Sequence, residues 1–130
     1  MTKFSISNFK FSILLLVTLA MFYGWRTWTR LGDWRNETKL WQTDIATYPD
    51  SAYAHFSLGN VYTREGRGKE AIELYQRAFE INPRFAIALG SVARNYQQLG
   101  DKDKAREYYQ RALQVDPNFW EARALLEELE

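Results

Sequence analysis

Apolar and polar positions along this 130-residue chain form three patterns that indicate helices. Residues 11–25 are uncharged and mostly apolar. Residues 33–48 carry an apolar stripe at spacings of three and four, made by Trp34, Thr38, Trp41, Ile45 and Tyr48. Residues 119–129 place apolar side chains on one helical face and charges on the other, the apolar ones being Phe119, Ala122, Leu125, Leu126 and Leu129. Spacings of three and four are the period of an amphipathic helix.

Residues 52–85 and 86–119 repeat one another at an offset of 34 residues. The matched pairs are Tyr62 and Tyr96, Gly66 and Gly100, Ala71 and Ala105, Tyr75 and Tyr109, Ala78 and Ala112, and Pro83 and Pro117. We expect Gly66 to end the first helix of its unit in the left-handed conformation, and Pro83 to end the second. Units of this length stack into a solenoid, because one alone cannot bury its apolar face.

The first unit resembles the tetratricopeptide (TPR) consensus at Leu58-Gly59, Tyr62, Gly66, Ala71, Tyr75, Ala78 and Pro83. The resemblance implies an all-α fold in which helices A and B of each repeat pack in pairs and the A helices line a concave face. The second unit departs from it at Val92-Ala93. Residues 120–130 have no helix B after them, so we expect a capping helix there. In that helix Trp120 either packs on the second repeat or contacts a partner.

Residues 1–31 are predicted to form a transmembrane anchor helix. Phe9 to Trp28 approaches the ~20 residues that span a bilayer, and Trp25 and Trp28 stand where an aromatic interface belt would lie. A cleaved signal peptide and a buried soluble helix are the alternatives. The Lys and Arg counts on the two flanks do not fix the orientation, and we favour a periplasmic or lumenal location of the repeats over a cytoplasmic one.

Residues 32–51 look like the second helix of a degenerate repeat, since Gly32, Trp41 and Pro49 stand one period before Gly66, Tyr75 and Pro83. Residues 18–31 would be its first helix. No Gly, Ser or Pro-rich linker follows the apolar segment, so we expect the anchor to continue into the solenoid. Residues 25–60 also resemble the junction between membrane and repeats in O-mannosyltransferase-like TPR proteins, at Arg30, Trp34, Leu40-Trp41, Pro49, Ala54-His55 and Leu58-Gly59.

The composition argues against catalysis and against binding of nucleic acid. The net charge is +1, there is no Cys, and the single His is His55, which stands at a packing position of the first repeat. Residues 1–40 are basic and residues 41–130 mildly acidic, whereas nucleic acid requires a basic stripe. No catalytic or metal-ligand spacing is visible. We therefore predict no catalytic residues, no metal, no cofactor and no small-molecule substrate. Asn36 begins a glycosylation sequon that matters only in a eukaryotic lumen.

The TPR resemblance also implies which residues face a partner. In such proteins the concave surface comes from fixed positions of each helix A, which here are Tyr53, Phe56, Asn60, Thr63, Arg64, Ile87, Gly90, Arg94, Gln97 and Gln98. Asn60 matches the asparagine of the carboxylate clamp that binds acidic chaperone tails. The other clamp positions carry Phe56, Ser91, Glu121 and Leu125 and do not match. The groove would be aromatic at one end and polar at the other, so we expect as its ligand an extended or helical peptide segment with apolar anchors and an acidic group.

These observations together predict a non-enzymatic, membrane-anchored TPR adaptor. Its partners would be proteins held on the concave face, together with membrane lipid around the single helix. An accessory subunit or assembly factor of a larger membrane complex is the role that we favour. A receptor for soluble or secreted peptides and a self-associating structural protein are the alternatives.

Overall fold

Six α-helices make up the part of the chain that the computed structural model describes. It covers the backbone of residues 6–129 and the side chains of residues 13–26 and 37–129. The helices are α1 (Ile6–Thr47), α2 (Ala52–Arg64), α3 (Gly68–Ile81), α4 (Ala86–Gln98), α5 (Lys102–Val115) and α6 (Trp120–Glu127). The prediction of an all-α chain is confirmed.

The chain divides into two compact units, residues 1–36 and residues 37–130. In the first unit every side chain from Ile13 to Arg26 is exposed. The described residues include no helix that combines the length and the apolar character needed to cross a membrane. The anchor expected at residues 1–31 is therefore not supported by the structure. Trp25 is exposed, and the side chain of Trp28 lies outside the described residues. Gly32, expected at the end of a helix, lies inside α1.

The helices of the second unit recur with the period seen in the sequence. Helices α2, α4 and α6 begin at residues 52, 86 and 120, and α3 and α5 begin at residues 68 and 102. Helices α2, α3 and α4 are therefore each followed one period later by a counterpart. The structure thus has the stacked helix pairs of a repeat solenoid.

Two glycines make the turns inside the repeats. The φ angles of Gly66 and Gly100 are +76° and +85°, a conformation that costs other residues energy because of their Cβ atoms. The Arg67 amide then donates to the Tyr62 carbonyl at 2.9 Å, and the Asp101 amide makes the same bond to Tyr96. These bonds satisfy carbonyls that the helix end leaves unpaired.

Small residues let the two helices of each repeat approach closely. Four alanines at helix crossings are fully buried, namely Ala71, Ala78, Ala105 and Ala112. Gly59 allows a still closer contact, because a Cβ atom there would lie 2.7 Å from Cε1 of Tyr75. The ring of Tyr75 is 1% exposed, so Gly59 and Tyr75 together fix how α2 and α3 pack.

The last turns of α1 pack against α2. Trp41 and Ile45 contact the core cluster of the first repeat, and Gln42 Nε2 donates to the Tyr62 hydroxyl at 3.2 Å. The rings of Trp41 and Tyr53 meet edge to face with centroids 5.7 Å apart. Residues 37–47 thus occupy the place of a helix that precedes the first repeat.

Candidate functional site

Helices α2, α4 and α6 line a groove on the inner face of the second unit. The groove contains two adjoining cavities, and Asn60, Ser91 and Arg94 border both. The smaller cavity, which we call the apolar pocket for the aromatic and aliphatic side chains on part of its wall, has a volume of about 140 Å³. The larger, which we call the polar pocket, has a volume of about 280 Å³ and is also lined by Thr63, Arg64, Tyr75 and Asn95.

Aromatic side chains build the apolar pocket. Phe56 packs against Phe85 and Tyr75, with ring centroids 4.9 and 5.4 Å apart. On the opposite side Phe119 lies against α4, where a Cβ atom on Gly90 would be 2.7 Å from its ring. Gly90 therefore lets the residue just before α6 close the pocket. Ile87, Ala122 and Leu125 complete the apolar part of its wall.

A chain of hydrogen bonds forms the base of the polar pocket. The Tyr75 hydroxyl oxygen lies 2.9 Å from Asn60 Oδ1 and 2.9 Å from Thr63 Oγ1. Thr63 Oγ1 donates to Asn95 Oδ1 at 3.2 Å, and Asn95 Nδ2 donates to the Ser91 carbonyl at 2.9 Å. Burial raises the pKa of the Tyr75 hydroxyl above its usual value, so Tyr75 stays a neutral donor and acceptor at physiological pH.

Both arginines of the groove are paired with carboxylates from neighbouring helices. Arg64 Nη2 lies 2.5 Å from Glu37 Oε2 at the end formed by α1. Arg94 pairs with Glu121 at the end formed by α6. All four side chains are 39–47% exposed, and ion pairs this accessible contribute about 0–1 kcal/mol each. The pairs therefore add little stability, but they balance the charge of the groove.

Six of the side chains predicted for the concave face line these cavities. They are Phe56, Asn60, Thr63, Arg64, Ile87 and Arg94. Tyr53 packs on Trp41 instead, Gln97 accepts a hydrogen bond from the Tyr109 hydroxyl at 3.1 Å, and Gln98 is exposed. Contact of any of these residues with a partner stays a prediction.

Helix α6 and the residue before it supply groove residues that were not among those predicted to bind a partner. Phe119, Glu121 and Leu125 line the apolar pocket, as does Ser91 of α4. Ser91, Glu121 and Leu125 occupy clamp positions, so the sequence carried a signal for them. Trp120 is 76% exposed, so the second repeat leaves most of its surface uncovered. Its contact with a partner stays a prediction.

The described residues outside the groove offer little that could act as a catalytic or metal site. His55 is buried, and its Nδ1 lies 2.9 Å from the carbonyl oxygen of Ser51, which agrees with the packing role predicted for it. In the part of the chain that the structure describes, His, Cys, Asp and Glu residues form no group of three that could hold a metal ion.

Solved structures that share this fold include two of known description. The crystal structure of MamA matches 80% of the chain with a TM-score of 0.70 and 24% identity, and the chain covers 61% of the length of MamA. The first TPR of Spaghetti (RPAP3), bound to the HSP90 peptide SRMEEVD, matches 80% of the chain with a TM-score of 0.70 and 17% identity, and the chain covers 82% of its length. At these identities the likeness shows the fold alone. No curated protein sequence matches the chain.

The sequence model of the tetratricopeptide repeat family matches residues 50–118, more than half of the chain. The match spans both repeats, the turn glycines and the groove residues of α2 and α4. The resemblance of residues 25–60 to O-mannosyltransferase-like proteins receives no support from these comparisons and stays a prediction. The chain belongs to the tetratricopeptide repeat family.

Proposed function

We propose that this chain is a non-enzymatic adaptor that holds a segment of a partner protein in its inner groove. The observation that supports the proposal is the apolar pocket beside polar side chains. Its volume of about 140 Å³ is close to the ~150 Å³ of an engineered cavity that binds benzene. The pocket therefore suits one leucine or aromatic side chain, while Asn60 and Ser91 next to it suit a peptide backbone.

The structural neighbour Spaghetti (RPAP3) is described with a bound peptide. That binding belongs to the neighbour, and it supports the proposal only by analogy of fold. Protein–protein interaction is the general role of the tetratricopeptide repeat family, since stacked repeats present a curved surface.

A pair of matched substitutions tests the groove. Ile87 and Leu99 are both on or just after α4 and are 51% and 49% exposed, but only Ile87 lines the groove. We expect Ile87→Asp to abolish capture of the partner and Leu99→Asp to leave it intact. Because both side chains are half exposed, neither substitution should unfold the chain. Equal capture by the two variants would refute a role for the groove.

Photo-crosslinking identifies the partner. A photoreactive residue at position 56 or 94 faces the groove, and one at position 110 is an exposed control on α5. We expect a crosslinked partner from the first two positions in native membranes and none from the control. Identical crosslinking patterns at all three positions would contradict the proposal.

We further propose that the chain serves as an accessory subunit or assembly factor of a larger membrane complex. The support is the exposed apolar stretch from Ile13 to Trp25, because water disfavours an apolar surface of this size and such surfaces mark interaction sites. Lipid or an apolar partner surface would cover it. Gentle detergent extraction followed by native gels tests the proposal. Migration as part of a large hetero-complex supports it, and migration of the chain alone contradicts it. A receptor for soluble peptides, by contrast, would migrate alone until peptide is added.

Self-association is a second candidate role, favoured by the exposure of Trp120 at the start of α6. In that case a ladder of homo-oligomers would appear in native gels. Trp120→Ala should collapse the ladder to the smallest species. A ladder that survives this substitution would rule out Trp120 as the contact.

A further inference from the structure

The hydroxyl groups at the base of the polar pocket have fewer protons than the contacts there require. Four side chains meet at this point, namely Asn60, Thr63, Tyr75 and Asn95. Three oxygen–oxygen contacts join them, from Tyr75 to Asn60, from Tyr75 to Thr63, and from Thr63 to Asn95. The two hydroxyl groups supply one proton each. With the Asn60 carbonyl oxygen facing Tyr75, one of the three contacts would bring two oxygens together at 2.9–3.2 Å with no proton between them.

Asn95 fixes the direction of the whole chain of bonds. It is 1% exposed, and its amide nitrogen is held by the Ser91 carbonyl at 2.9 Å, so its oxygen must face Thr63. Thr63 then gives its only proton to Asn95 and accepts one from Tyr75. Tyr75 has now used its own proton, and the atom of Asn60 that faces Tyr75 must be a donor.

We infer that Asn60 points its amide nitrogen at Tyr75 and its carbonyl oxygen into the groove, so that the groove accepts a hydrogen bond from a peptide N–H and turns away a carboxylate. Asn60 is half-buried and borders both cavities, so the atom that does not face Tyr75 is available to a ligand. An asparagine that binds a carboxylate must present its NH₂ group instead. Turning the amide over to do so would leave one of the three partly buried oxygen–oxygen contacts without a proton, which is unfavourable.

The paired arginines favour the same class of ligand. Arg64 and Arg94 each have a glutamate of the chain itself beside them, Glu37 and Glu121. A carboxylate entering the apolar pocket would meet the Glu121 carboxylate and the Asn60 oxygen, whereas a main-chain N–H would meet an acceptor. Like charges brought together in this way select against a partner. The partner segment is therefore neutral or basic where it crosses Asn60, with one apolar side chain in the apolar pocket.

The orientation of Asn60 can be measured without any ligand. In the full chain labelled at asparagine, we expect strong nuclear Overhauser effects between the Asn60 side-chain NH₂ protons and the Tyr75 ring. We also expect these protons to exchange with water faster in Tyr75→Phe, because the acceptor is removed while the ring stays. NH₂ protons that show contacts only to groove residues such as Ser91, with exchange unaffected by Tyr75→Phe, would overturn the inference.

The choice of ligand rests on the proposed function, and two synthetic peptides test it. SRMEEVD is acidic, and SRMQQVN with an amidated end has the same length without the carboxylates. We expect SRMEEVD to bind at least about tenfold more weakly, a difference of ~1.4 kcal/mol, when the Asn60 side-chain and Ile87 methyl signals are followed. Tighter binding of SRMEEVD would overturn the exclusion of carboxylates. If neither peptide binds while the Overhauser effects are as expected, the inference about Asn60 stands, and the crosslinking experiment decides the proposed function.

Discussion

Replacing Gly59 by alanine should destabilise the repeats, although alanine is the better helix former. The new Cβ atom would lie 2.7 Å from Cε1 and 2.9 Å from Cδ1 of Tyr75. The Tyr75 ring is 1% exposed and its hydroxyl is held at 2.9 Å by both Asn60 and Thr63. The ring can move away only by disturbing the core and lengthening these bonds.

The size of the destabilisation follows from two unfavourable terms and one favourable term. Overpacking of a core costs about 1–3 kcal/mol, and each weakened hydrogen bond costs about 0.5–1.5 kcal/mol. The change from glycine to alanine inside a helix returns about 1 kcal/mol. The net loss in the free energy of unfolding is therefore about 2 kcal/mol, which corresponds to a fall in Tm of roughly 8–16 °C for a domain of this size.

The second repeat provides an internal comparison. Ala93 stands one period after Gly59 and shares the core cluster of the second repeat with Tyr109, the counterpart of Tyr75, and both are buried. The Tyr109 hydroxyl bonds to Gln97 at 3.1 Å, whereas Tyr75 bonds to Asn60 and Thr63. The second repeat thus accommodates alanine with a tyrosine whose hydroxyl has a different partner. In the first repeat, Gly59→Ala would disrupt the hydrogen bonds that Tyr75 makes to Asn60 and Thr63.

Urea unfolding of the full chain, followed by far-ultraviolet circular dichroism, measures the effect. The decisive control is the same substitution in a Tyr75→Leu background, where the ring atoms are gone. There we expect Gly59→Ala to stabilise the chain, by up to about 1 kcal/mol. If Gly59→Ala is neutral in the native background, or equally harmful in both backgrounds, contact with the Tyr75 ring is not the reason for the glycine.

Three further outcomes follow from the structure. Burial raises the pKa of Tyr75 above the ordinary value of 10, so the folded state holds the phenol proton more tightly than the unfolded state does. The free energy of unfolding should therefore fall as the pH rises above 10. In urea titrations at alkaline pH we expect Tyr75→Phe to flatten this fall, and an unchanged slope would contradict the role of Tyr75. Gly100→Ala should cost about 1–2 kcal/mol in thermal unfolding, because the φ angle of Gly100 is +85° and that region penalises a Cβ atom; no change in Tm would mean that the turn relaxes freely. Ser51→Ala should cost about 1 kcal/mol by removing the acceptor that lies 3.2 Å from the Ala54 amide, whereas Ser51→Asp, which keeps an acceptor, should not.

The helix pattern was predictable because local chemistry determines it. Gly66 and Gly100 are at the turns since only glycine adopts their φ angles cheaply. Ala71 and Ala105 are buried at crossings that exclude larger side chains. Because these residues recur at an offset of 34, the sequence also predicted the length of each repeat. It gave a wrong expectation at Gly32, which lies within α1. An offset alone does not say whether a glycine takes a positive φ angle.

The side chains of the groove were only partly predictable because their partners are distant in sequence. Position along a helix placed Phe56, Asn60 and Arg94 on the inner face. It could not show that Arg94 pairs with Glu121, 27 residues later. Nor could it show that Tyr53 turns to Trp41, since that contact depends on how the end of α1 packs on α2.

Helix α6 both packs on the core of the second repeat and lines the groove, whereas the sequence suggested only a capping helix. Ala122 is 1% exposed within the core cluster of the second repeat, so one face of the helix packs on that repeat, and its role as a cap stays a prediction. Glu121 and Leu125, one residue before and three after it, line the groove and are not fully buried. Removing α6 would therefore expose the core and open the groove together, and a loss of binding could not be assigned to either cause. Glu121→Gln separates them, because it leaves the buried face intact and changes only the charge that Arg94 meets.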